Sequence, residues 1–285
     1  MGCTGDGAAQ RVVGKRRIRS GASDMRILYA AQKHDYGDPQ RGYSFEHYNF
    51  YNTLVNMNDK EHEIIYFPYD ELITSLGPGA MNREFERLVD ERQPEVVFIV
   101  LFTNEFEPAT VRRISARRST VTVAWMSDDH WRFENYGRHW APAFNWVTTT
   151  DSRAVSKYHA AGYENAIKTQ WACNHFLYKP TPSENGPYAD LGVTFVGQPH
   201  GDRKQLIRAF LEVGISVACW GRGWPDGRVD QGDMLKVFAN SKINLNLSNS
   251  SGGLSVKNIA KIFMIYKKTL DYMMVRRPFL QVLLQ

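Results

Sequence analysis

Short apolar runs alternate with amphipathic stretches along most of the chain, and this alternation predicts its secondary structure. Runs of about four to eight β-branched and apolar residues, bounded by turn residues, are typical of buried strands. The run at 96–102 is apolar throughout, as parallel strands covered on both faces tend to be. We predict strands at 25–31, 63–67, 96–102, 120–126, 146–150, 166–171, 192–196, 215–220 and 243–247.

Helical periodicity fills most of the intervals between these strands. Ser44 can cap the first helix, and Pro94 and Gly162 end two of the others. Apolar stripes predict helices at 44–57, 81–93, from 108 onward, and at 152–161, 203–213 and 232–239. Strands that alternate with helices in this way predict βαβ units, and therefore an α/β fold with doubly wound parallel sheets.

A segment rich in Pro and Gly interrupts the alternation between Tyr178 and Tyr188, and its composition is that of a linker. We therefore predict two α/β domains, residues 25–179 and 188–253, joined by a Pro-rich linker at 180–187. The alternation restarts after the linker, so the second domain repeats the architecture of the first.

The two ends of the chain carry its excess of positive charge. Residues 1–24 have a net charge of +3 and are predicted to be a disordered basic tail, and the basic and apolar tail 254–285 carries +5. Because Ile259, Ile262, Phe263 and Tyr266 share a helical face, we predict a helix over 259–273. The whole chain has a net charge of +5, so the residues between the two ends have a net charge of −3. A nucleic-acid-binding surface would instead be positively charged.

Composition narrows the class of protein further. The 285 residues are 43% hydrophobic and 23% charged, as in soluble globular proteins. The three cysteines are too widely spaced for a disulfide framework or a zinc signature, so we predict a reducing, cytoplasmic location. No apolar run approaches the roughly 18 residues of a transmembrane helix. Cys173 and His175 alone cannot fill a tetrahedral site, and no metal is predicted.

Candidate catalytic residues of the first domain follow its strands. Asp128, Asp129 and His130 come directly after the strand at 120–126, where open α/β sheets bind their ligands. Adjacent side chains on extended chain point to opposite sides, so we expect one aspartate to face the cleft and the other to cap the next helix. His34 follows the first strand and is either a general base or a structural histidine.

Candidate ligand-binding residues of the second domain also follow strands. Gly197, Gly201, Arg203 and Lys204 connect a strand to a helix, as in phosphate-binding loops and in ordinary βα loops. Arg203 and Lys204 in a first helical turn oppose the helix dipole unless an anion lies between them.

The next two strand ends of this domain carry further candidates. Gly221, Gly223 and Trp224 suit a ligand wall, although Trp224 could instead cap the core. Asn246 and Ser248 belong to a polar run that suits sugar hydroxyls or forms a polar edge strand.

Several motifs together resemble a known family, the CgeB-type glycosyltransferases, named for a spore-maturation protein. The residues that carry the resemblance span roughly 25–251 and are, in order, Ala124–Phe133 (AWMSDDHWRF), Thr148–Asp151 (TTTD), Tyr158–Gly162 (YHAAG), Trp171–Asn174 (WACN) and Thr194–Gly197 (TFVG). The resemblance implies the GT-B fold, in which two Rossmann-like domains face each other across a cleft. It also implies a nucleotide-sugar donor on the C-terminal domain, an acceptor on the N-terminal one, and no metal or other cofactor.

The resemblance also implies residue roles. Gly197 and Arg203 would face the donor diphosphate, while Gly221, Gly223 and Trp224 would lie near the donor. Asp128 and Asp129 would line the cleft from the acceptor side. The acceptor could be a glycan, a protein or a small molecule.

The chain departs from this family after residue 253. An R-x-F-E-like segment, whose Glu holds the donor ribose, is expected there, yet no Glu follows Glu212. We therefore expect an incomplete C-terminal domain and a hexosyltransferase-like enzyme that could be impaired. The alternatives are a non-catalytic carbohydrate- or partner-binding remnant, a sugar-nucleotide epimerase, and a Mn²⁺-dependent transferase using Asp128 and Asp129.

Overall fold

A computed structural model describes residues 25–57, 62–179 and 185–247, together with the backbone of 264–267 and 272–275. The strands are β1 Met25–Ala31, β2 His62–Pro68, β3 Val96–Val100, β4 Val121–Met126, β5 Trp146–Thr149, β6 Ala166–Lys168, β7 Leu191–Val196, β8 Val217–Trp220, β9 Ser241–Asn244, β10 Met264–Lys267 and β11 Tyr272–Val275. The helices are α1 Asn52–Met57, α2 Tyr69–Leu76, α3 Pro78–Arg92, α4 Pro108–Ser115, α5 Asp129–Arg132, α6 Gly137–Trp140, α7 Ala154–Ala160, α8 Arg203–Glu212 and α9 Gln231–Asn240.

Two separate parallel sheets organise the described chain, as the alternation of strands and helices predicted. The first has the order β2-β1-β3-β4-β5-β6, and the second has the order β8-β7-β9. Neighbouring strands are parallel in both sheets. All six strands of the first sheet therefore end at one edge, and the loops that follow them lie near one another.

The core of the first sheet is apolar on both faces. Tyr29, Val97 and Ala124 are completely buried on its central strands. Phe85 and Val111 extend this core from α3 and α4, where the predicted helical stripes place them. This packing gives a rigid base to the loops at the carboxyl edge.

Several elements differ from their predictions. The helix at 44–57 consists of a π-helical turn, His47–Tyr51, followed by α1. Helices α2, α5 and α6 were not predicted. Helices α5 and α6 have only 4 residues each, which is too few to show a helical stripe. Gly77, at φ 81°, separates α2 from α3.

The last predicted elements are shifted or replaced. Strand β9 runs from Ser241 to Asn244 and so begins two residues before the predicted strand. The early start is explained by a hydrogen bond of 2.8 Å between the hydroxyls of Ser241 and Thr194 of β7. The predicted helix over 259–273 is wrong where the chain is described there, because β10 and β11 pair antiparallel. Ile and Tyr in these short segments favour strands. An apolar run as short as this does not distinguish the periodicity of a helix from that of a strand. The predicted tail 1–24 and most of the linker lie outside the described residues.

No helix of the described residues is both long enough and apolar enough to cross a membrane.

Candidate functional site

The loop after β1, residues 32–46, is held in place by one carboxylate of the neighbouring strand connection. Asp70 lies in the first turn of α2, just after β2. Its two oxygens accept hydrogen bonds from the backbone N–H groups of Lys33, at 2.8 Å, and His34, at 2.9 Å. Because the Asp70 side chain is only 4% exposed, these bonds fix the start of the loop firmly.

The same carboxylate contacts the His34 ring. Nδ1 of His34 lies 3.4 Å from Asp70 Oδ2 and 3.9 Å from Glu71 Oε1, and the His34 side chain is 13% exposed. Glu71 also pairs with Lys33 Nζ at 2.9 Å. An imidazole beside a carboxylate at the carboxyl end of a strand is an arrangement suited to general base catalysis.

Aromatic rings fix His34 from the other side. The ring of Tyr43 stacks on His34 with centroids 5.8 Å apart, and it stacks on His47 at 4.3 Å. Burial, together with the nearby charges of Lys33 and His34, lowers the pKa of His47. The lowered pKa makes His47 a weaker base than an ordinary histidine, and the Tyr43 ring stacks on both His47 and His34.

Strain marks the next residues of this loop. Tyr36 has φ 56°, which is unusual for an aromatic residue. The Arg41 guanidinium lies 4.5 Å from the centroid of the Tyr36 ring and holds Asp35 Oδ2 at 2.8 Å. Backbone strain of this kind concentrates at functional sites, because surrounding contacts must maintain it.

The loop after β1 also contacts the second half of the chain. Arg228, between β8 and α9, places Nη1 at 3.0 Å from Asp35 Oδ2 and Nη2 at 3.4 Å from the carbonyl oxygen of Arg41. A second contact joins Gln231 Nε2 to the hydroxyl of Tyr178 at 3.2 Å. The loop that carries His34 is thereby brought against the loop that follows β8.

We expect this contact to be weak but measurable. In a double-mutant cycle of Asp35→Asn and Arg228→Gln, followed by urea unfolding, the coupling free energy should be about 0.2–1 kcal/mol, because both partners are partly exposed. The coupling should shrink at high salt, where exposed charges are screened. A cycle of Arg228→Gln with Glu134→Gln should show no coupling, because Glu134 pairs with Arg138 instead. Equal coupling in both cycles would contradict the contact.

The candidates that follow β4 fall into different environments. Asp129 is 2% exposed, and its Oδ2 accepts a hydrogen bond from the Tyr158 hydroxyl at 3.0 Å. Burial raises the pKa of Asp129, although the bonds from Thr149 and Tyr158 oppose that shift. Its carboxylate therefore lies inside the first domain rather than at its surface.

Asp128 and His130 flank this internal carboxylate. Asp128 is half-buried and precedes α5, but its side chain makes no capping hydrogen bond. Neither aspartate therefore caps α5 with its side chain, in contrast to the predicted cap. His130 is exposed. The three adjacent residues thus do not form one cluster, whereas the His34 ring has both a carboxylate and an aromatic ring beside it.

In the second half, the ends of β7 and β8 approach each other closely. A Cβ on Gly221, at φ 145°, would collide with the carbonyl group of Gly197. Trp224 Nε1 donates to the Gly197 carbonyl oxygen at 2.7 Å, and its ring meets Phe195 edge-on. A Cβ on Gly223 would lie 2.9 Å from Pro199. Both glycines and Trp224 hold the two loops together, as a ligand wall would require.

Arg203 is committed to backbone carbonyls. Nε and Nη2 donate to Leu247, at 3.0 and 2.7 Å, and Nη1 donates to Gln198 at 2.8 Å. In this conformation Arg203 ties the start of α8 to the ends of β7 and β9. Lys204, Gly201 and Asn246 are exposed, whereas Ser248 lies outside the described residues.

Some residues of the site could not be identified from the sequence alone. Asp70 had a local signal, since it follows a strand closed by Pro68, but its contact with His34 depends on β2 pairing with β1. Arg228 and Asp35 carried no local signal at all. Among the described residues, no cluster of His, Cys, Asp and Glu is suited to a metal ion.

Part of the chain matches a known family model. Residues 203–266, which are 64 of the 285 residues, match a family model described as glycosyl transferase-like. This segment, which begins at α8 and includes β8, α9 and β9, is therefore glycosyltransferase-like. No curated protein matches the chain.

Solved structures show a similar fold. A protein described as a UDP-N-acetylglucosamine 2-epimerase, from Listeria monocytogenes, is similar at a TM-score of 0.50 and 8% identity, covering 78% of this chain and 74% of that one. This likeness confirms the predicted fold class, two Rossmann-like α/β domains of the GT-B type.

Two glycosyltransferase structures are similar at lower scores. The one from Rickettsia africae has a TM-score of 0.39 and 11% identity, covering 79% of this chain and 69% of that one. SnogD from Streptomyces nogalater has a TM-score of 0.34 and 11% identity, covering 80% and 74%. These two scores support no further conclusion.

Proposed function

We propose that the protein is a glycosyltransferase in which His34 takes the proton from an acceptor hydroxyl. The observation that carries this proposal is the contact between His34 Nδ1 and Asp70 Oδ2, at the carboxyl end of β1. A carboxylate beside Nδ1 favours the tautomer with its proton on that nitrogen, so Nε2 keeps the lone pair that a base needs. Arg228 links this loop to the half that contains the glycosyltransferase-like segment.

The donor we propose is a nucleotide sugar bound on the second half. The family match of residues 203–266 supports this placement. Helix α8 presents backbone amides and the exposed Lys204 in its first turn, where an anionic diphosphate is favoured. We assign the wall of the donor site to Gly197, Gly221 and Trp224.

The proposed reaction is a single displacement. The acceptor oxygen bonds to C1 of the sugar as Nε2 of His34 accepts its proton. The bond from C1 to the phosphate oxygen breaks, and its electron pair leaves with the nucleoside diphosphate. Asp70 stabilises the imidazolium that forms, as carboxylates do beside other catalytic histidines. Direct displacement inverts the configuration at C1.

Donor binding is the first test of this function. Calorimetric titration with UDP-, GDP- and dTDP-sugars should give binding heat with at least one of them. Absence of heat with all three classes would reject the enzyme and leave a binding protein of the same fold. A changed configuration at one carbon of the sugar, with no transfer to an acceptor, would instead support an epimerase, the activity given for the solved structure at a TM-score of 0.50.

A further inference from the structure

Arg132, the last residue of α5, is a buried cation without an ionic partner. It is 7% exposed, and among the described residues no carboxylate lies within ion-pair distance of it. Two of its nitrogens, Nε and Nη2, are buried and have no hydrogen-bond partner. Its guanidinium carbon lies 3.8 Å from the centroid of the Tyr136 ring, and the Tyr136 hydroxyl also interacts with it.

The carboxylates nearest in the fold are engaged elsewhere. Asp129 accepts from the Tyr158 hydroxyl at 3.0 Å, and a Cβ on Gly137 would collide with it, so it has little room to turn. Both oxygens of Glu105 accept from the backbone N–H of Thr103, at 2.8 Å. Within the described chain, the charge of Arg132 therefore acts on the neighbouring Asp129 carboxylate and contacts an aromatic ring, but no carboxylate forms a direct ion pair with it.

A buried guanidinium with unused donors is costly unless an anion completes it. Its planar set of N–H donors matches the two oxygens of a carboxylate or a phosphate. Arg132 follows β4 at the carboxyl edge of the first sheet, the edge that also carries His34. This edge belongs to the domain opposite the glycosyltransferase-like segment 203–266.

We propose that Arg132 binds an oxyanion, a carboxylate or phosphate group, carried by the acceptor. Assigning this oxyanion to the acceptor rests on the proposed function, whereas the binding site itself does not. The acceptor class is then an acidic compound, such as a phosphorylated or carboxylate-bearing sugar or small molecule, rather than a neutral alcohol.

Anion binding can be measured without any transfer activity. Thermal unfolding of the full chain in inorganic phosphate, in acetate and in chloride at equal ionic strength should show a higher Tm in phosphate or acetate than in chloride. The anion that gives the larger shift distinguishes phosphate from carboxylate recognition. In Arg132→Met the shift should disappear, and the apparent Kd for that anion should rise at least tenfold. In Arg138→Met, which removes an exposed arginine of α6 paired with Glu134, the shift should persist.

The unliganded proteins give a second readout. Because Arg132→Met removes an unpaired buried charge and keeps an apolar side chain of similar length, its Tm in chloride should equal or exceed that of the wild type. A lower Tm would reveal an internal partner and overturn the proposal, as would an anion shift that survives Arg132→Met or is absent from the wild type. If the anion shift depends on Arg132 but no nucleotide sugar binds, the site stands and the proposed glycosyl transfer fails.

Discussion

Replacing His34 with Asn should lower the rate of glycosyl transfer by about 10²–10⁴, the usual contribution of a general base. Asparagine keeps a polar side chain near Asp70 but cannot accept the acceptor proton. The loss should appear in kcat more than in KM for the donor, because His34 lies in the domain opposite the glycosyltransferase-like segment. The measurement is the initial rate of nucleoside diphosphate release, with calorimetry to verify donor binding.

His130→Asn is the matched control for this variant. His130 is a second histidine at the same edge of the sheet, but it is exposed and follows β4. Its replacement should leave the rate within about threefold of wild type, because no carboxylate of the described residues pairs with its ring. A large loss of rate in His130→Asn, together with a normal rate in His34→Asn, would show that His130 is the general base.

Replacing Gly137 with Ala should destabilise the first domain by about 1–3 kcal/mol, as expected for overpacking of a buried site. A Cβ at this position would overlap both Asp129 Oδ1 and the Tyr158 hydroxyl. The substitution therefore strains the hydrogen bond between Asp129 and Tyr158, which joins α7 to the start of α5. Urea unfolding monitored by tryptophan fluorescence measures the change in the free energy of unfolding.

Gly79→Ala is the control, because Gly79 also lies in a first helical turn. Its added Cβ would meet only Arg83 Nη1, at 3.6 Å, which is ordinary contact. Alanine is favoured over glycine in helices by roughly 0.5–1 kcal/mol, so this variant should be as stable as wild type or more stable. A destabilisation equal to that of Gly137→Ala would show that the close contact at Asp129 has no special weight.

The sheets could be predicted from the sequence because their strands are apolar on both faces. The predicted strand at 120–126 corresponds to β4, Val121–Met126, and the one at 192–196 to β7, Leu191–Val196. Prediction failed where a polar residue lies in a strand, as Ser241 does in β9. Its hydroxyl forms a hydrogen bond with Thr194 of β7 instead of with solvent. This bond joins residues that are far apart in the sequence, so local periodicity does not reveal it.

The candidate site was only partly predictable for the same reason. His34 could be found because it follows an apolar run, and its position at the end of β1 marks it as a candidate. Asp70 lies 36 residues further along the chain, and only the pairing of β1 with β2 brings the two together. Arg132 lies in the motif Ala124–Phe133, but the sequence does not show that it lacks an ion pair. The nearest carboxylates, Asp129 and Glu105, are held by Tyr158 and Thr103, and these contacts depend on the fold.

The rescue of a His34→Ala variant by free imidazole tests the central proposal most directly. The variant lacks the ring that accepts the acceptor proton, and imidazole added to the solution can act as the general base in its place. We predict that nucleoside diphosphate release by the variant rises with the concentration of imidazole, while the wild-type rate does not. A variant that is as fast as wild type without imidazole, or that imidazole does not accelerate, would show that another group takes the proton, and the account of His34 would be wrong.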